Sequence, residues 1–274
     1  MPWHITEDVD EFLAGAGDFL RSRPVENTVL LTIADTVRLR GPHAYGDGTP
    51  IFGWCHDGAF LRTPPRGALL TEMSADAAAA LAADLARAGL PAIAGPEGAA
   101  EAFAAEWQRL TGATPRVAGR QRLYRLDSLT PPDPPPPGAG RIAGDADRDL
   151  LIDWMDALNR ALGEGTNRTA EFVDDRLSHG GLLLWEDAGR PVSMAGTTRP
   201  AAGMVRVVAV YTPPEHRARG YAGAATAAVT RAALDAGATD VVLFTDLSNP
   251  TSNALYQRLG YTPIEDRRTV EFSS

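Results

Sequence analysis

A proline-rich run near the middle of the chain limits how the sequence can fold. Residues 130–140 have the sequence TPPDPPPPGAG. Proline lacks a backbone N–H and fixes φ, so successive prolines favour polyproline II and exclude a helix or a central strand. We interpret the run as a semi-rigid linker. It divides the 274 residues into a first half, 1–129, and a second half, 141–274, each long enough for one ordinary domain.

The composition narrows the classes of protein to which the two halves can belong. Hydrophobic residues make up 44% of the chain, enough for a substantial core, and the formal net charge is -9. A negative net charge disfavours nucleic acid as the main partner. The single cysteine, Cys55, excludes an intrachain disulfide framework. No paired histidine motif is evident, so we interpret Cys55 as a small buried apolar residue rather than a nucleophile.

The sequence shows neither a secretory signal nor a membrane span. The first residues, MPWHITEDVDEF, are acidic where a signal peptide carries basic residues. No run of about 18 apolar residues is present. We therefore expect a cytoplasmic protein that does not bind membranes.

Hydrophobic periodicity predicts alternating helices and strands in the second half. The most regular strand is MVRVVAVYT, residues 204–212, which is rich in β-branched residues. We predict helices at 147–162 and 170–178, a helix that ends at Asp235, and a helix that contains Tyr256. Strands are predicted at 181–186, 191–198, 204–212, 240–245 and 267–272.

The two halves share a weak internal repeat. Residues 90–115 align with residues 240–263, so that WQRL at 107–110 matches YQRL at 256–259, and a Gly-x-Thr-Pro ending follows in both. An alanine-rich helix that ends in Ala-Gly precedes each segment. The agreement in order and spacing predicts a tandem duplication of one fold.

A tight turn between a strand and a helix is the most informative segment of the second half. After the strand at 204–212, the chain continues as PPEHRARGYAG into an alanine-rich helix. Such a turn presents several N–H groups at the positive end of a helix dipole, which suits a pyrophosphate. Gly220 gives backbone freedom, and Arg217 and Arg219 can contact phosphate. Taken alone, the turn is more typical of an ordinary helix start than of a phosphate site, and the missing G-x-G-x-x-G pattern disfavours a nicotinamide enzyme.

Two segments together resemble the GNAT superfamily of N-acetyltransferases. Arg217, Gly220 and Ala222 match the R/Q-x-x-G-x-G/A motif of that superfamily. Downstream, Asn249 stands seven residues before Tyr256 in NPTSNALYQRLGY, as in its second hallmark segment. The resemblance is strong from about residue 180 to 265 and faint in the first half.

The resemblance implies the fold and the side of the site that binds coenzyme A. The expected fold is an α/β mixed sheet in two tandem acyl-CoA N-acyltransferase-like domains, each a mostly antiparallel twisted sheet flanked by helices. The strand at 204–212 would splay from the strand at 240–245 and admit the pantetheine arm. The residues implied in acetyl-CoA binding are Val210, Tyr211, Thr212, Arg217, Ala218, Arg219, Gly220, Tyr221, Ala222, Gly223, Asn249 and Asn253.

Tyr256 is the implied general acid. A thiol has a pKa of roughly 8.5 and a tyrosine roughly 10, so a phenol can give a proton or a hydrogen bond to the departing thiolate. The alternative is a core tyrosine, because Leu255 and Leu259 flank it. A backbone N–H near Val210 would polarise the thioester carbonyl.

The sequence does not identify a general base or the acceptor. Five acidic residues fall in or near the expected acceptor region, and each is interpreted as a surface charge; they are Glu164, Glu171, Asp174, Asp175 and Glu186. Trp154, Trp185 and Tyr211 are candidates for an acceptor pocket, with core packing the preferred interpretation for both tryptophans. His216 is interpreted as a neighbour of the phosphate.

The first half lacks the residues that carry the resemblance. Trp107 stands in place of Tyr256 and Ala104 in place of Asn253, and an ordinary helix cap at Ser74 replaces the phosphate turn. We therefore predict a degenerate domain that does not bind coenzyme A and packs against the active half. The alternative is an unrelated α/β domain.

The functional hypothesis is direct transfer of an acetyl group from acetyl-CoA to a primary amine in a ternary complex, without a metal. The alternatives are a longer acyl donor, as in glycine N-acyltransferase-like proteins, or a non-catalytic module that senses coenzyme A or binds a protein. We expect a monomer or a homodimer.

Overall fold

The computed structural model describes residues 2–163, 165–166 and 168–273. These residues form an α/β fold with eight α-helices and twelve β-strands. The helices are α1 Val9–Ser22, α2 Thr28–Arg40, α3 Ala75–Leu85, α4 Glu97–Thr111, α5 Arg148–Leu162, α6 Thr169–Leu177, α7 Tyr221–Asp235 and α8 Pro250–Arg258. The strands are β1 His4–Thr6, β2 Ile51–Trp54, β3 Ala59–Arg62, β4 Ala68–Leu70, β5 Ala92–Pro96, β6 Thr114–Leu126, β7 Ala139–Ile142, β8 Leu182–Asp187, β9 Arg190–Thr197, β10 Met204–Tyr211, β11 Asp240–Asp246 and β12 Tyr261–Ser273.

The order of elements repeats along the chain. From β1 to β6 and again from β7 to β12, it is one strand, two helices, three strands, a helix, a strand, a helix and a strand. The strand directions repeat as well, since β4 pairs in parallel with β5 and β10 with β11, and the three pairings before each are antiparallel. The repeat is the one that a tandem duplication predicts, and the predicted α/β fold with a mostly antiparallel sheet flanked by helices is confirmed.

The chain packs into two compact units. The first contains residues 1–123, 245–249 and 263–274, and the second contains residues 124–244 and 250–262. The strand order is β1-β2-β3-β4-β5-β12-β6 in the first unit and β11-β10-β9-β8-β7 in the second. The last strand of the chain therefore belongs to the unit that begins at the N-terminus.

The first unit has a core in which Trp107 is packed. Trp107 is 3% exposed and stacks on Phe103 with the ring centroids 5.7 Å apart, and the ring of Phe272 lies 5.3 Å from that of Trp107. β4 is followed by α3, whose N-cap Ser74 accepts a hydrogen bond from the N–H of Ala77. The first helical turn is capped by this side chain, as the sequence predicts.

The second unit is built on the alanine-rich helix α7. Small side chains on its buried face, including Ala224, Ala225 and Thr226, let the helix lie close to the sheet. The same apolar cluster contains Val205 and Val207 from β10 and residues from β11 and α8. β10 and β11 are thereby held against the helix that follows the predicted phosphate turn.

Two predicted boundaries differ from the structure. β7 begins at Ala139, inside the predicted linker, because the proline run ends at Pro137 and the backbone of Ala139 and Gly140 can pair with β8. β12 begins at Tyr261 rather than at Arg267. Its first residues are held by packing that the sequence does not reveal, since Tyr261 is 1% exposed and Thr262 donates to the carbonyl of Arg125 at 3.3 Å.

Candidate functional site

The C-terminal end of β10 leaves the ladder with β11, at the place where the resemblance implies a splay. Paired register with β11 runs from Met204 to Val207, although β10 continues to Tyr211. Against β9, Val208 pairs with Gly196 and Tyr211 with Met194, so two residues oppose one in a β-bulge. Ala209 in this bulge has φ 54°. A bulge leaves its extra residue outside the ladder, and the backbone around Val210 is thereby made available.

Ser193, which the sequence analysis missed, holds the end of β10. It is fully buried on β9, its hydroxyl donates to the carbonyl of Tyr211 at 3.1 Å, and it shares a 2.8 Å hydrogen bond with the hydroxyl of Thr212. Arg217 donates from Nε to the carbonyl of Thr212 at 3.0 Å. A serine in an apolar strand is the only sequence signal for this role.

The predicted phosphate turn lies directly before α7. Ala218 has φ 59° and Gly220 has φ 83°, and Gly220 caps the helix without any side-chain hydrogen bond to its first turn. The N–H groups of Tyr221, Ala222 and Gly223 are in that first turn, where the helix leaves its donors without intrahelical partners. Left-handed residues that lead into a helix create an anion-binding nest.

Charged side chains surround this turn. Arg217 and Arg219 are exposed beside it. Tyr221, the first residue of α7, donates from its hydroxyl to a carboxylate oxygen of Asp187 at 2.6 Å. The hydrogen bond to Asp187 raises the pKa of Tyr221, and burial adds to the shift. The ring of His216 lies 6.5 Å from the ring of Tyr221, so His216 is a neighbour of the turn, as predicted.

The proline-rich segment passes next to the start of α7. A β-carbon added to Gly220 would lie 3.6 Å from Cβ of Pro136, and one added to Gly223 would lie 3.5 Å from Cγ of Pro132. Trp185 donates from its indole nitrogen to the carbonyl of Pro137 at 2.9 Å. Trp185 therefore anchors the linker, and it also packs against the apolar cluster of the second unit, as the preferred interpretation predicts.

The two predicted asparagines lie on either side of the start of α8. Asn249 is in the turn before the helix, and its N–H donates to the carbonyl of Asp246 at 3.1 Å. Asn253 is half-buried on the helix, and its Oδ1 accepts a 2.8 Å hydrogen bond from the hydroxyl of Tyr124. A contribution of either side chain to cofactor binding stays a prediction.

Tyr256 is buried on the face of α8 that packs against the sheet. It is 8% exposed, and its ring meets the ring of Tyr261 edge-on at 6.2 Å. Burial alone raises the pKa of Tyr256 to about 12. The phenol is therefore protonated at neutral pH and can donate a proton or a hydrogen bond. Its packing also fits the core role that the sequence left open.

Arginines form ion pairs with the acidic residues of the expected acceptor region. Arg148 binds Asp174 through Nε at 2.6 Å and holds the pKa of that carboxyl below its usual range. Glu186 pairs with Arg141 at 2.8 Å and Glu171 with Arg168 at 3.8 Å.

Asp175 is not a surface charge, so the interpretation of this residue from the sequence is wrong. Its side chain is 9% exposed and lies between Arg176 and Arg199, whose charges stabilise it inside the protein. Glu164 lies outside the described residues.

The candidates for an acceptor pocket, Trp154 and Tyr211, lie together in the second unit, whereas Cys55 lies in the first. The ring of Trp154 lies 6.1 Å from that of Tyr211, and both rings pack against the apolar cluster of α5, α6 and β8. Cys55 is half-buried in the first unit rather than fully buried, and its Sγ donates to a carboxylate oxygen of Asp57 at 3.3 Å. Burial raises the pKa of its thiol, which disfavours a nucleophile.

None of the helices in the described ranges is both long and apolar enough to cross a membrane.

The comparisons with known proteins concern the second half most directly. Residues 149–261 match the model of the Acetyltransferase (GNAT) family. No curated protein matches the sequence.

Solved structures extend the fold likeness to nearly the whole chain. An acetyltransferase from the GNAT family of Colwellia psychrerythraea has a TM-score of 0.60 at 12% identity, over 99% of this chain and 99% of that chain. A Drosophila protein has a TM-score of 0.65 at 14% identity, over 99% and 98%. A GCN5-related N-acetyltransferase from Kribbella flavida has a TM-score of 0.57 at 20% identity, over 80% and 89%. At these identities the likeness is one of fold.

Proposed function

We propose that the chain transfers an acetyl group from acetyl-CoA to a primary amine, because residues 149–261 match the model of the Acetyltransferase (GNAT) family, as the two sequence motifs predict. The observation that carries the proposal is the turn before α7. There, Ala218 and Gly220 have left-handed backbone conformations directly before the first turn of α7, and Arg217 and Arg219 are exposed beside them. An anionic pyrophosphate matches both the dipole and the charges of this turn.

The residues present fit acetyl-CoA. Ala218, Gly220, Ala222 and Gly223 have at most a methyl side chain, so a ligand can approach their N–H groups closely. Arg217 and Arg219 supply positive charge at the same turn. The bulge in β10 frees backbone around Val210 for the pantetheine arm, which the resemblance places between β10 and β11. Asn249 and Asn253 are proposed to bind the same arm.

The reaction needs few protein groups. The amine nitrogen attacks the thioester carbon, and the C–S bond breaks to release coenzyme A as a thiol. An N–H near Val210 stabilises the carbonyl oxygen as negative charge develops on it. Tyr256 supplies the proton or hydrogen bond for the departing sulfur. Water takes up the amine proton, because the acidic residues described above are held in ion pairs with arginines.

The two halves of the sequence are proposed to be tandem domains, 1–129 and 141–274, joined by residues 130–140. The first would be a degenerate copy without a cofactor site. This assignment is supported by the repeated order of elements and by Trp107, which fills the first core at the position that Tyr256 holds in the second half. We further propose a cytoplasmic protein that acts as a monomer or homodimer.

Two alternatives concern the same site. A longer acyl-CoA donor remains compatible with the turn, because the pyrophosphate and pantetheine are common to all acyl-CoA substrates. A non-catalytic module that senses coenzyme A gains support from the absence of an assigned base. It loses support from the presence of both Asn249 and Tyr256 at the positions of the motif.

A screen of amines with detection of the released thiol tests the proposal. Aminoglycosides, polyamines, amino acids and peptide N-termini are offered with acetyl-CoA, and at least one class should release free thiol faster than the enzyme alone does. The same panel with octanoyl-CoA distinguishes a longer acyl donor. Saturable binding of acetyl-CoA without thiol release for any class would favour the sensing module.

A further inference from the structure

A buried tyrosine outside the family match contacts a predicted cofactor residue. Tyr124 is fully buried near the end of β6, in the first half of the sequence, and it packs in the second unit. Its hydroxyl donates to Oδ1 of Asn253 at 2.8 Å and accepts a hydrogen bond from Nε2 of Gln257 at 3.3 Å. We infer that Tyr124 is a positioning residue that fixes the Asn253 side chain for binding the pantetheine arm.

The direction of the hydrogen bonds supports this role. A tyrosine hydroxyl carries one proton, and the Gln257 amide can only donate through Nε2, so Tyr124 gives its own proton to Asn253. With Oδ1 engaged in this way, Nδ2 is the end of the Asn253 side chain that donates. The terminal torsion of an amide permits either of its atoms to face a neighbouring group, and this hydrogen bond favours Oδ1 on the side of Tyr124. The buried tyrosine thereby favours one orientation of the half-buried Asn253 side chain.

Tyr124 belongs to the first half of the sequence, outside the residues that match the family model. The family match covers residues 149–261, and Tyr124 precedes both that match and the proline-rich run. The strand that carries it begins in the first unit and ends in the second. The first half of the sequence thus contributes a side chain to the cofactor site, beyond any role as a separate degenerate copy. This inference rests on the proposed function, because it presumes that acetyl-CoA binds here.

Tyr124→Phe removes the hydroxyl and keeps the ring in the core. Calorimetric titration of the full chain with acetyl-CoA should show a Kd about tenfold higher than that of the unaltered chain, because binding then has to immobilise an amide that the hydrogen bond had held in place. In turnover with an accepted amine, KM for acetyl-CoA should rise by a similar factor, while kcat at saturation should change less than threefold. If Tyr124 only stabilised the fold, its replacement would not raise KM for acetyl-CoA while it left kcat nearly unchanged.

Tyr261→Phe is the matched control. Tyr261 is also buried in the second unit, and its hydroxyl forms a 2.6 Å hydrogen bond with Thr230 rather than with an asparagine. In urea unfolding, Tyr261→Phe should lose about as much stability as Tyr124→Phe. Its Kd for acetyl-CoA should equal that of the unaltered chain. An equal rise of Kd in both variants would show general loosening of the core and would overturn the inference.

A double-mutant cycle tests whether Tyr124 acts through Asn253. Asn253→Ala alone and Asn253→Ala combined with Tyr124→Phe should have the same Kd, because no amide remains to be positioned. Additive losses would contradict the inference, and so would an unchanged Kd for Tyr124→Phe in a chain that binds acetyl-CoA. If the unaltered chain itself does not bind acetyl-CoA, the proposed function fails and the inference fails with it.

Discussion

Replacement of Tyr256 by phenylalanine is expected to lower kcat by roughly 10²-fold and to leave the affinity for acetyl-CoA unchanged, since a positioned general acid typically contributes 10²–10⁴ to the rate. The ring is buried on the inner face of α8, so Phe keeps the packing and removes only the phenol. The pKa of about 12 keeps that phenol protonated throughout the physiological range. Proton donation to a departing thiolate is then the function that is lost.

The measurement is thiol release under saturating acetyl-CoA and amine, with the Kd for acetyl-CoA taken from calorimetry. The pKa of the leaving group supplies a control. An acyl donor whose thiol has a pKa well below that of coenzyme A needs less help to depart, and it should narrow the gap between Tyr256→Phe and the unaltered enzyme. Unchanged kcat in Tyr256→Phe would assign the residue to the core and remove it from the mechanism.

Gly260→Ala is expected to lower the free energy of unfolding by about 3 kcal/mol. Gly260 follows α8 with φ 94°, and a β-carbon there would come closer to the carbonyl oxygen of Ser128 than the 3.0 Å that real β-carbons keep. The left-handed conformation costs an alanine roughly 1–2 kcal/mol. Relief of the overlap requires a backbone shift, which adds roughly 1–3 kcal/mol. The shift would also disturb the hydrogen bond from the N–H of Asp127 to the Gly260 carbonyl, 3.0 Å long.

Gly237→Ala separates the cost of the left-handed conformation from the cost of the overlap with Ser128. Gly237 follows α7 with φ 93°, and a β-carbon there would meet nothing within 4 Å. It should therefore show the conformational cost alone, roughly 1–2 kcal/mol. Urea unfolding of both variants measures the difference. Equal destabilisation would show that the contact with Ser128 carries no energetic weight.

The sequence predicts the elements of the second half well because each is encoded locally. The β-branched run at 204–212 gives β10, and the alanine-rich run after the turn gives α7, close to their predicted ends. The turn itself could be predicted for the same reason, since Gly220 permits the left-handed backbone that the turn requires.

The parts of the site that the sequence missed depend on residues distant along the chain. Tyr124 and Asn253 are separated by 129 positions, and Ser193 and Tyr211 by 18. No periodicity or spacing relates such pairs, so only the fold brings them together. The same holds for Trp185, whose partner is a carbonyl in the proline-rich segment. The location of Asp175 between two arginines likewise follows from packing and not from local sequence.

The binding of acetyl-CoA at the turn before α7 is the central claim, and a charge substitution at Ala222 tests it most directly. Ala222 lies in the first turn of the helix, where a carboxylate is favourable for the helix itself. Ala222→Glu should therefore fold normally while it repels a pyrophosphate, and Ala222→Gln places a neutral side chain of the same size there.

Calorimetric titration should give one site per chain for the unaltered protein, and a Kd for Ala222→Glu at least tenfold higher than that for Ala222→Gln. Absence of binding by the unaltered chain at high micromolar acetyl-CoA, or equal Kd values for the two variants, would contradict the claim.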